Sequence, residues 1–337
     1  MEKNFIQTVS STAHYAASEL VDRLAQSQRE TRNWTTNQDE AYRQVCHTLN
    51  HCLDVLRQTG CSGESTRLPS NIFWKIAGNI LSSGVLQLHA REKPRGYAGD
   101  HIMLSRIASF WTCNHPLGQF FDRFFQDQAA PMAVRDRSHL IAAKILAAAD
   151  RQATQRPSRE FHLAAIGSGP AIEIELALRK STDTNQNAWH IHLFDMDPAA
   201  LAYAHAHLRH YISAANIHQH RVNLFRLPQN QTQSHVIPPI DFCYCAGLFD
   251  YLPTSQASSM LSTLWNCLRQ DGSLLVFNFG PVNPSRVYME WFGNWYLLYR
   301  TPEELQTLAE SVPIPSPEYR VGDLQNKTIV YLEASGL

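Results

Sequence analysis

The spacing of apolar and polar residues changes near residue 158 of the chain. Residues 5–150 carry apolar positions at helical spacing, as in AYRQVCHTLNHCLDVLRQTG, and contain no convincing strand pattern. From residue 161 onward, short apolar runs alternate with helical stretches, which is typical of βαβ units. The pattern therefore predicts two domains, an all-α domain over residues 1–157 and an α/β domain over residues 158–337.

Five short apolar runs in the second half of the chain predict a parallel sheet with helices on both faces. They are FHLAAI, WHIHLF, NIHQHRV, IDFCYCA and SLLVFNF. Two further strand-like runs, EYRVGD and KTIVYLEA, are separated by a short polar turn and predict a hairpin on the sheet edge. Two helix starts are also indicated: Asp197 caps a helix that begins at Pro198, and Thr301 forms a capping box with Glu304.

Composition excludes several function classes. Lys plus Arg is 29 and Asp plus Glu is 30, so no overall field attracts nucleic acid or an anionic membrane. No apolar run approaches the ~18 residues of a spanning helix, and MEKNFIQTVSSTAHY lacks the apolar segment of a secretory signal. The seven cysteines form no CxxC pair. We expect a soluble cytoplasmic protein with reduced thiols, and a homodimer is one of the oligomeric states left open.

A glycine turn follows the first apolar run, in the order strand, turn and helix that commonly holds a nucleotide. Gly167 and Gly169 are present, but Ile172 stands where a dinucleotide fingerprint has its third glycine. Asp195, the acid available for a ribose, follows Gly169 by 26 residues, and no G-x-x-x-x-G-K-[ST] motif occurs. The turn therefore suits a nucleoside without pyrophosphate, and S-adenosylmethionine is such a ligand.

The residues at the ends of consecutive predicted strands fit this cofactor, because open α/β sheets bind ligands at the carboxyl ends of their strands. The turn would bring backbone N–H groups to the methionine part, and the Asp195 carboxylate would accept both ribose hydroxyls. Asn223 and Leu224 would contact the adenine, and the segment 246–249 would line the sulfonium side. The predicted cofactor residues are Gly167, Ser168, Gly169, Asp195, Met196, Asn223, Leu224, Ala246 and Gly247.

With these motifs, residues 158–335 resemble the class I S-adenosylmethionine-dependent methyltransferases. The resemblance implies a Rossmann-like, seven-stranded α/β fold with a carboxy-terminal antiparallel hairpin. It assigns the glycine turn to the cofactor, Asp195 to the ribose and Asn223–Leu224 to the adenine, with Ala246 and Gly247 in the fourth-strand motif. Two positions depart from the family pattern: Ala165 replaces a common acid, and Asn223 replaces a commoner aspartate.

A narrower resemblance rests on KPRGYAGD, AVRDR and MEWFGNWYLLYRTPEEL. These segments resemble methyltransferases with a helical amino-terminal domain, among them enzymes of 3-hydroxypalmitic acid methyl ester biosynthesis. The resemblance implies a small-molecule acceptor. The loop that carries Tyr97 and Asp100 is expected to close over the cofactor or to be only a connector.

The segment after the fifth predicted strand carries polar and aromatic residues where a substrate pocket would lie, although its aromatic residues could equally pack a core. The predicted substrate-side residues are Tyr97, Arg286, Tyr288, Trp295 and Arg300, with Asn283 and Glu290 as further candidates. Arg135 and Arg137 are either a solvated helix face or an anchor for substrate or cofactor. His205, His207 and His210 lack metal-site spacing, so no metal is expected.

The expected reaction is methyl transfer, an in-line displacement in which the protein mainly orients the nucleophile. A carboxylate acceptor needs no general base because it is ionised near pH 7. No pair of side chains that would act as a general base is recognisable in the sequence. These points favour carboxyl O-methylation of a small carboxylic acid, giving a methyl ester. The alternatives are N-methylation or phenol O-methylation of a small metabolite, and a catalytically silent cofactor-binding protein.

Overall fold

The computed structural model describes residues 2–30, 37–181, 188–230, 237–312, 319–324 and 327–335. This part of the chain contains twelve α-helices and seven β-strands. The helices are α1 (Glu2–Glu30), α2 (Gln38–Gln58), α3 (Arg67–Leu81), α4 (Val85–Glu92), α5 (His101–Ala108), α6 (Gly118–Gln126), α7 (Ala129–Gln155), α8 (Ile172–Lys180), α9 (Pro198–Leu208), α10 (Thr254–Asn266), α11 (Arg286–Trp291) and α12 (Pro302–Glu310). The strands are β1 (Phe161–Ile166), β2 (Trp189–Asp195), β3 (Ile217–Arg221), β4 (Ile240–Cys245), β5 (Leu268–Phe279), β6 (Tyr319–Asp323) and β7 (Ile329–Ser335).

Two compact units divide the chain. The helical unit comprises 1–132 and 284–296, and the sheet unit comprises 133–283 and 297–337. The predicted domain boundary between residues 157 and 158 stays a prediction. The two compact units divide at other positions because most of α7 packs in the sheet unit. There Lys144 contacts the Glu333 carboxylate at 2.7 Å, and Arg151 contacts Ser273 at 2.8 Å.

The segment that follows β5 joins the helical unit although it is distant in sequence. Trp291 is fully buried there, and its ring meets that of Phe73 edge-on with centroids 6.3 Å apart. Tyr288 packs edge-on against Phe124 with centroids 5.5 Å apart. Aromatic pairs of this geometry stabilise a core beyond their buried area, so the aromatic residues of α11 are core residues of the helical unit.

The sheet unit contains one seven-stranded sheet in the order β3-β2-β1-β4-β5-β7-β6. Strands β1 to β5 are parallel, and β7 is antiparallel to both β5 and β6. The predicted runs and the edge hairpin are confirmed, although β5 starts five residues before its predicted run; residues 325 and 326 of the hairpin turn lie outside the described residues. The predicted caps at Asp197 and Thr301 are also confirmed.

The strand order places the cofactor candidates at one edge of the sheet. The chain continues outward from β1 to β2 and β3, and then returns to the other side of β1 at β4. Open α/β sheets bind ligands in the crevice at such a switch point, outside the carboxyl ends of the strands. The predicted glycine turn follows β1, and the predicted fourth-strand motif follows β4. No helix in the described ranges has the length and apolar character needed to cross a membrane.

Candidate functional site

The turn after β1 is held by backbone conformation and by the neighbouring strand. Gly167 and Gly169 have φ of +67° and +49°, in the left-handed region that glycine adopts without strain. The N–H groups of Gly167 and Ser168 both donate to the Phe194 carbonyl, at 2.8 and 3.0 Å. The glycines are therefore required by the turn itself, and the end of β2 fixes the position of the turn.

Asp195, the last residue of β2, connects this turn to the start of α9. Its Oδ2 accepts from the Gly169 N–H at 2.9 Å, and its Oδ1 accepts from the Asp197 N–H at 2.9 Å. Burial raises the pKa of Asp195, and the two backbone N–H groups act against that rise. A carboxylate has about four lone-pair positions, so each oxygen keeps the capacity to accept one ribose hydroxyl.

The structure separates the three candidates that follow β2 and β3. Asn223 is exposed, and its Oδ1 accepts from the Phe225 N–H at 3.1 Å. Leu224 is 4% exposed and belongs to the apolar core of the sheet, which leaves little of its surface for an adenine. Met196 is 46% exposed. Asn223 and Met196 are therefore accessible at the strand ends, whereas Leu224 supports the site from within the core.

A buried arginine that sequence reasoning left undecided reaches the end of β4. Arg137 is 4% exposed, and its Nη1 donates to the Ala246 carbonyl at 2.7 Å. Its Nε is buried without a hydrogen-bond partner, and so is the Ser168 Oγ on the neighbouring strand end. Buried polar groups are normally paired. These two atoms are therefore polar groups near the switch point that still have hydrogen-bonding capacity. Because Arg137 is buried, the solvated-face alternative is wrong for it.

Space at the end of β4 is consistent with such a ligand. Gly247 is half-buried, and a Cβ added to it would meet no atom within 4 Å. Its neighbour Ala246 is buried and already accepts from Arg137. The two predicted fourth-strand residues thus lie beside open space and a buried cation.

Arg300, predicted to contact substrate, is bound by the sheet unit itself. It is 6% exposed; its Nη1 donates to the Phe249 carbonyl at 2.8 Å and to Asn278 Oδ1 at 2.5 Å. Its Nη2 donates to the Leu252 carbonyl at 2.5 Å. Burial raises the pKa of nearby Asp250 to about 7, opposed by the Phe279 N–H and by the charges of Arg137 and Arg300. These contacts favour a structural role for Arg300, and substrate contact stays a prediction.

The other predicted substrate residues belong to the helical unit. Arg286 Nε donates to Glu290 Oε1 at 2.8 Å, and the buried Glu290 also accepts from the Gly63 N–H at 2.8 Å. Tyr288 is buried and donates to Gln87 Oε1 at 2.9 Å. These contacts favour structural roles for Arg286 and Tyr288, and their contact with a substrate stays a prediction.

Tyr97 and Trp295 lie in two loops of the helical unit. Both side chains are half-buried. The indole ring of Trp295 packs on Gly99, in the loop that carries Tyr97. A Cβ added to Gly99 would lie only 3.1 Å from that ring. The structure therefore brings the two predicted segments together within the helical unit.

A histidine–aspartate pair that sequence reasoning missed lies in the same unit. His89 Nε2 is 2.7 Å from Asp100 Oδ2; the Asp100 side chain is fully buried and that of His89 is 9% exposed. Burial acts to raise the pKa of Asp100, but its hydrogen bonds to His89 and the Met103 N–H lower it. The residues are 11 apart, across a helix end and a loop, so no fixed spacing announced them. The sequence showed no recognisable base dyad, and the fold brings this pair together.

Comparison with known proteins identifies the fold. No family model matches the chain, and no curated protein matches it. A solved structure of a possible exported protein from Bordetella parapertussis is 15% identical, covers 95% of this chain and 96% of its own, and has a TM-score of 0.55. The carbon methyltransferase CurJ is 12% identical, covers 98% of this chain and 92% of its own, and has a TM-score of 0.50. The fold is that of the class I methyltransferases. The predicted fold class is thereby confirmed, with a helical region ahead of a seven-stranded sheet.

Proposed function

We propose that the protein is an S-adenosylmethionine-dependent methyltransferase that acts on a small molecule. The observation that carries the proposal is the polar arrangement at the switch point of the methyltransferase fold. There a glycine turn is pinned to β2 beside the buried Asp195, and two buried polar atoms, Arg137 Nε and Ser168 Oγ, have no partner.

These residues fit the cofactor group by group. Asp195 would accept the ribose hydroxyls with its remaining lone pairs, and the Arg137 guanidinium would bind the cofactor carboxylate, a pairing that favours arginine. Ser168 Oγ would contact the methionine part of the cofactor, and the open space at Gly247 would leave room for that part. When bound, the cofactor supplies an electrophilic methyl group on sulfur. The protein's own task is to orient the acceptor and exclude water.

For the acceptor we propose a small carboxylic acid, which the protein converts to its methyl ester. The methyl ester formed in 3-hydroxypalmitic acid methyl ester biosynthesis is a product of this kind. A carboxylate is ionised near pH 7 and needs no base. The described contacts of Arg286 and Arg300 weaken the proposal that either arginine alone orients the acid. A second candidate is methylation of a phenol or an amine, which needs a general base. The helical unit contains a carboxylate-paired imidazole, His89–Asp100, which is a type of side-chain pair that can act as such a base.

The test supplies methyl-labelled S-adenosylmethionine and an extract of small molecules to the full-length protein. The ester proposal predicts a labelled product that releases methanol under mild alkali. It also predicts a rate that is nearly flat from about pH 6 to 8, since a carboxylate does not titrate there. A labelled product that survives alkali, formed at a rate that rises with pH, would select the phenol or amine acceptor. No transfer to any acceptor would select the silent cofactor-binding protein.

We also propose that the protein is cytoplasmic and forms a homodimer. The cytoplasmic location is supported by seven cysteines that are all free thiols, as expected in a reducing compartment. The homodimer is a proposal that light scattering on the purified protein would test. A mass equal to twice 38.2 kDa would support it.

A further inference from the structure

Three cations and two aromatic rings lie together beside α3 in the helical unit. They are Arg67, Arg91, Lys93, Trp74 and Tyr296, here called the cationic seam. The Arg67 guanidinium lies over the Tyr296 ring, with its carbon 4.4 Å from the ring centroid. The Arg91 guanidinium lies over the Trp74 ring at 4.5 Å. Because stacking on an aromatic face restricts the plane of a guanidinium, the seam presents two oriented cations.

A hydrogen-bonded serine and the spacing along α3 join the two stacked pairs. Arg91 Nη2 donates to the Ser70 carbonyl at 3.3 Å, and the Ser70 hydroxyl lies 3.5 Å from the Tyr296 hydroxyl. Arg67, Ser70 and Trp74 are separated by three and four residues, so they share one face of α3. The two guanidinium groups are therefore neighbours along that face.

The charges of Arg91 and Lys93 have neutral partners throughout the described part of the chain. Arg91 donates to the Trp291 carbonyl at 3.3 Å and to Asn71 Oδ1 at 2.7 Å. The Lys93 ammonium donates to the Asn294 carbonyl at 2.6 Å. Both cationic side chains are half-buried. A charge that is partly removed from water is normally paired with an opposite charge, and these two contacts with carbonyl and amide oxygens provide none.

The carboxylates that the described contacts bring to the seam each have a cation of their own. Glu64 accepts from Arg67 Nη2 at 2.8 Å, and Glu290 accepts from Arg286 Nε at 2.8 Å. These two pairs are neutral as a whole. The other two cations of the seam therefore remain as an excess of positive charge.

The three cations act on one another and keep donors for a further partner. Burial lowers the pKa of Lys93, and the charges of Arg67 and Arg91 lower it further. Burial also lowers the pKa of Arg91 to about 10, so its guanidinium is still charged at pH 7. Lys93 uses one of its three N–H donors, and Arg67 Nη1 has no hydrogen-bond partner among the described residues. An anion among them would relieve the repulsion and accept these N–H groups.

Backbone conformation keeps the lysine in the seam. Lys93 and Asn294 have φ of +49° and +48°, in the left-handed region that disfavours residues with a Cβ. Asparagine adopts this region more readily than lysine does, because its short polar side chain can bond locally. Residues held in such conformations concentrate at functional sites. The strained Lys93 lies where its ammonium meets the Asn294 carbonyl, beside the two arginines.

We propose that the cationic seam binds an oxyanion, the phosphate or carboxylate group of a small molecule. Guanidinium groups match two oxygens of such a group at once, and the ammonium adds a point charge. The inference does not rest on the proposed function, because the seam belongs to the helical unit and none of its residues is assigned to S-adenosylmethionine.

The test titrates the full-length protein at pH 7.5 with inorganic phosphate and, separately, with acetate, while chloride keeps the ionic strength constant. Nuclear magnetic resonance follows the indole N–H signal of Trp74, which is identified by its loss in Trp74→Phe. This signal reports on the seam because Arg91 covers the ring. We expect a shift that saturates. Saturation by phosphate alone would identify a phosphate group as the ligand, and saturation by acetate would identify a carboxylate.

Variants separate the charge of the seam from its packing. Lys93→Gln keeps an N–H donor for the Asn294 carbonyl but removes the positive charge, so the dissociation constant should rise about tenfold. Lys180→Gln, at an exposed position at the end of α8, removes the same charge in the sheet unit and should leave the dissociation constant unchanged. Arg67→Gln, whose side chain is 50% exposed, should weaken binding in the same direction and replaces Lys93→Gln if that variant does not fold.

Two results would overturn the proposal. One is a Trp74 signal that does not respond saturably to either anion. The other is a dissociation constant that Lys93→Gln and Arg67→Gln leave unchanged. The seam would then serve only to hold the end of α11, where cations stabilise the last carbonyls of a helix. Neither result bears on S-adenosylmethionine binding, which calorimetry measures separately.

Discussion

Arg137 carries the most specific prediction about the cofactor site. Its guanidinium is 4% exposed, uses one nitrogen on the Ala246 carbonyl and has a buried Nε without a partner. A hydrogen bond to a charged group contributes about 1.5–3 kcal/mol. Arg137→Gln should therefore weaken S-adenosylhomocysteine binding by about tenfold to a hundredfold, since each 1.4 kcal/mol is a factor of ten.

The assay compares two ligands by calorimetry at pH 7.5. S-adenosylhomocysteine carries the amino-acid carboxylate, and 5′-methylthioadenosine keeps the nucleoside but lacks that carboxylate. If Arg137 acts only through its contact with the Ala246 carbonyl at the end of β4, its loss should weaken the binding of both ligands equally. If Arg137 binds the carboxylate, its loss should weaken the binding of S-adenosylhomocysteine only. Arg209→Gln, at an exposed position directly after α9, is the control for removing a positive charge and should leave both affinities unchanged. Equal weakening of both ligands, or of neither, would refute the assignment of Arg137 to the carboxylate.

Three further predictions follow from the described contacts. Asp195→Asn should weaken S-adenosylhomocysteine about tenfold or more, because an amide cannot accept from both backbone N–H groups and the ribose; unchanged affinity in calorimetry would contradict the ribose assignment. Burial, followed by the neighbouring histidines of the sheet, lowers the pKa of His192 on β2 to about 3, so His192 is neutral when folded and charged when unfolded. The free energy of unfolding in urea should therefore fall by about 1.4 kcal/mol per pH unit below pH 6.5, and a flat profile from pH 6.5 to 5 would contradict this. Glu290→Ala should cost about 1–3 kcal/mol in the same assay, since Gly63 and Arg286 lose their acceptor; no loss would contradict a structural role for Glu290.

The sheet unit was largely predictable because its signals are local. An apolar run followed by a capped helix specifies a βα unit within a few residues, as Asp197 and Pro198 do after β2. The glycine turn was recognisable for the same reason, since its positive φ angles require glycine at Gly167 and Gly169. The edge hairpin followed from two strand-like runs that a short turn separates.

Contacts between residues far apart in sequence were not predictable. The sequence of α7 shows two arginines two positions apart, but not that Arg137 is buried against Ala246 more than a hundred residues later. The His89–Asp100 pair depends on how α4 ends, and the alignment of His162 with His190 and of His192 with His218 depends on the register of three strands. Arg300 looked available for a substrate because its acceptor Asn278, 22 residues earlier, becomes visible only in the fold. Glu290 is only four residues from Arg286, but its second partner, the Gly63 N–H, is 227 residues away.

Binding of S-adenosylmethionine at the switch point of this sheet can be tested by calorimetry of the protein with S-adenosylhomocysteine at pH 7.5, with NAD as the comparison ligand. We expect one site per chain for S-adenosylhomocysteine and no binding of NAD, because the turn lacks the third glycine of the dinucleotide fingerprint. Binding of NAD in preference to S-adenosylhomocysteine, or binding of neither, would refute the assignment of the switch point to this cofactor.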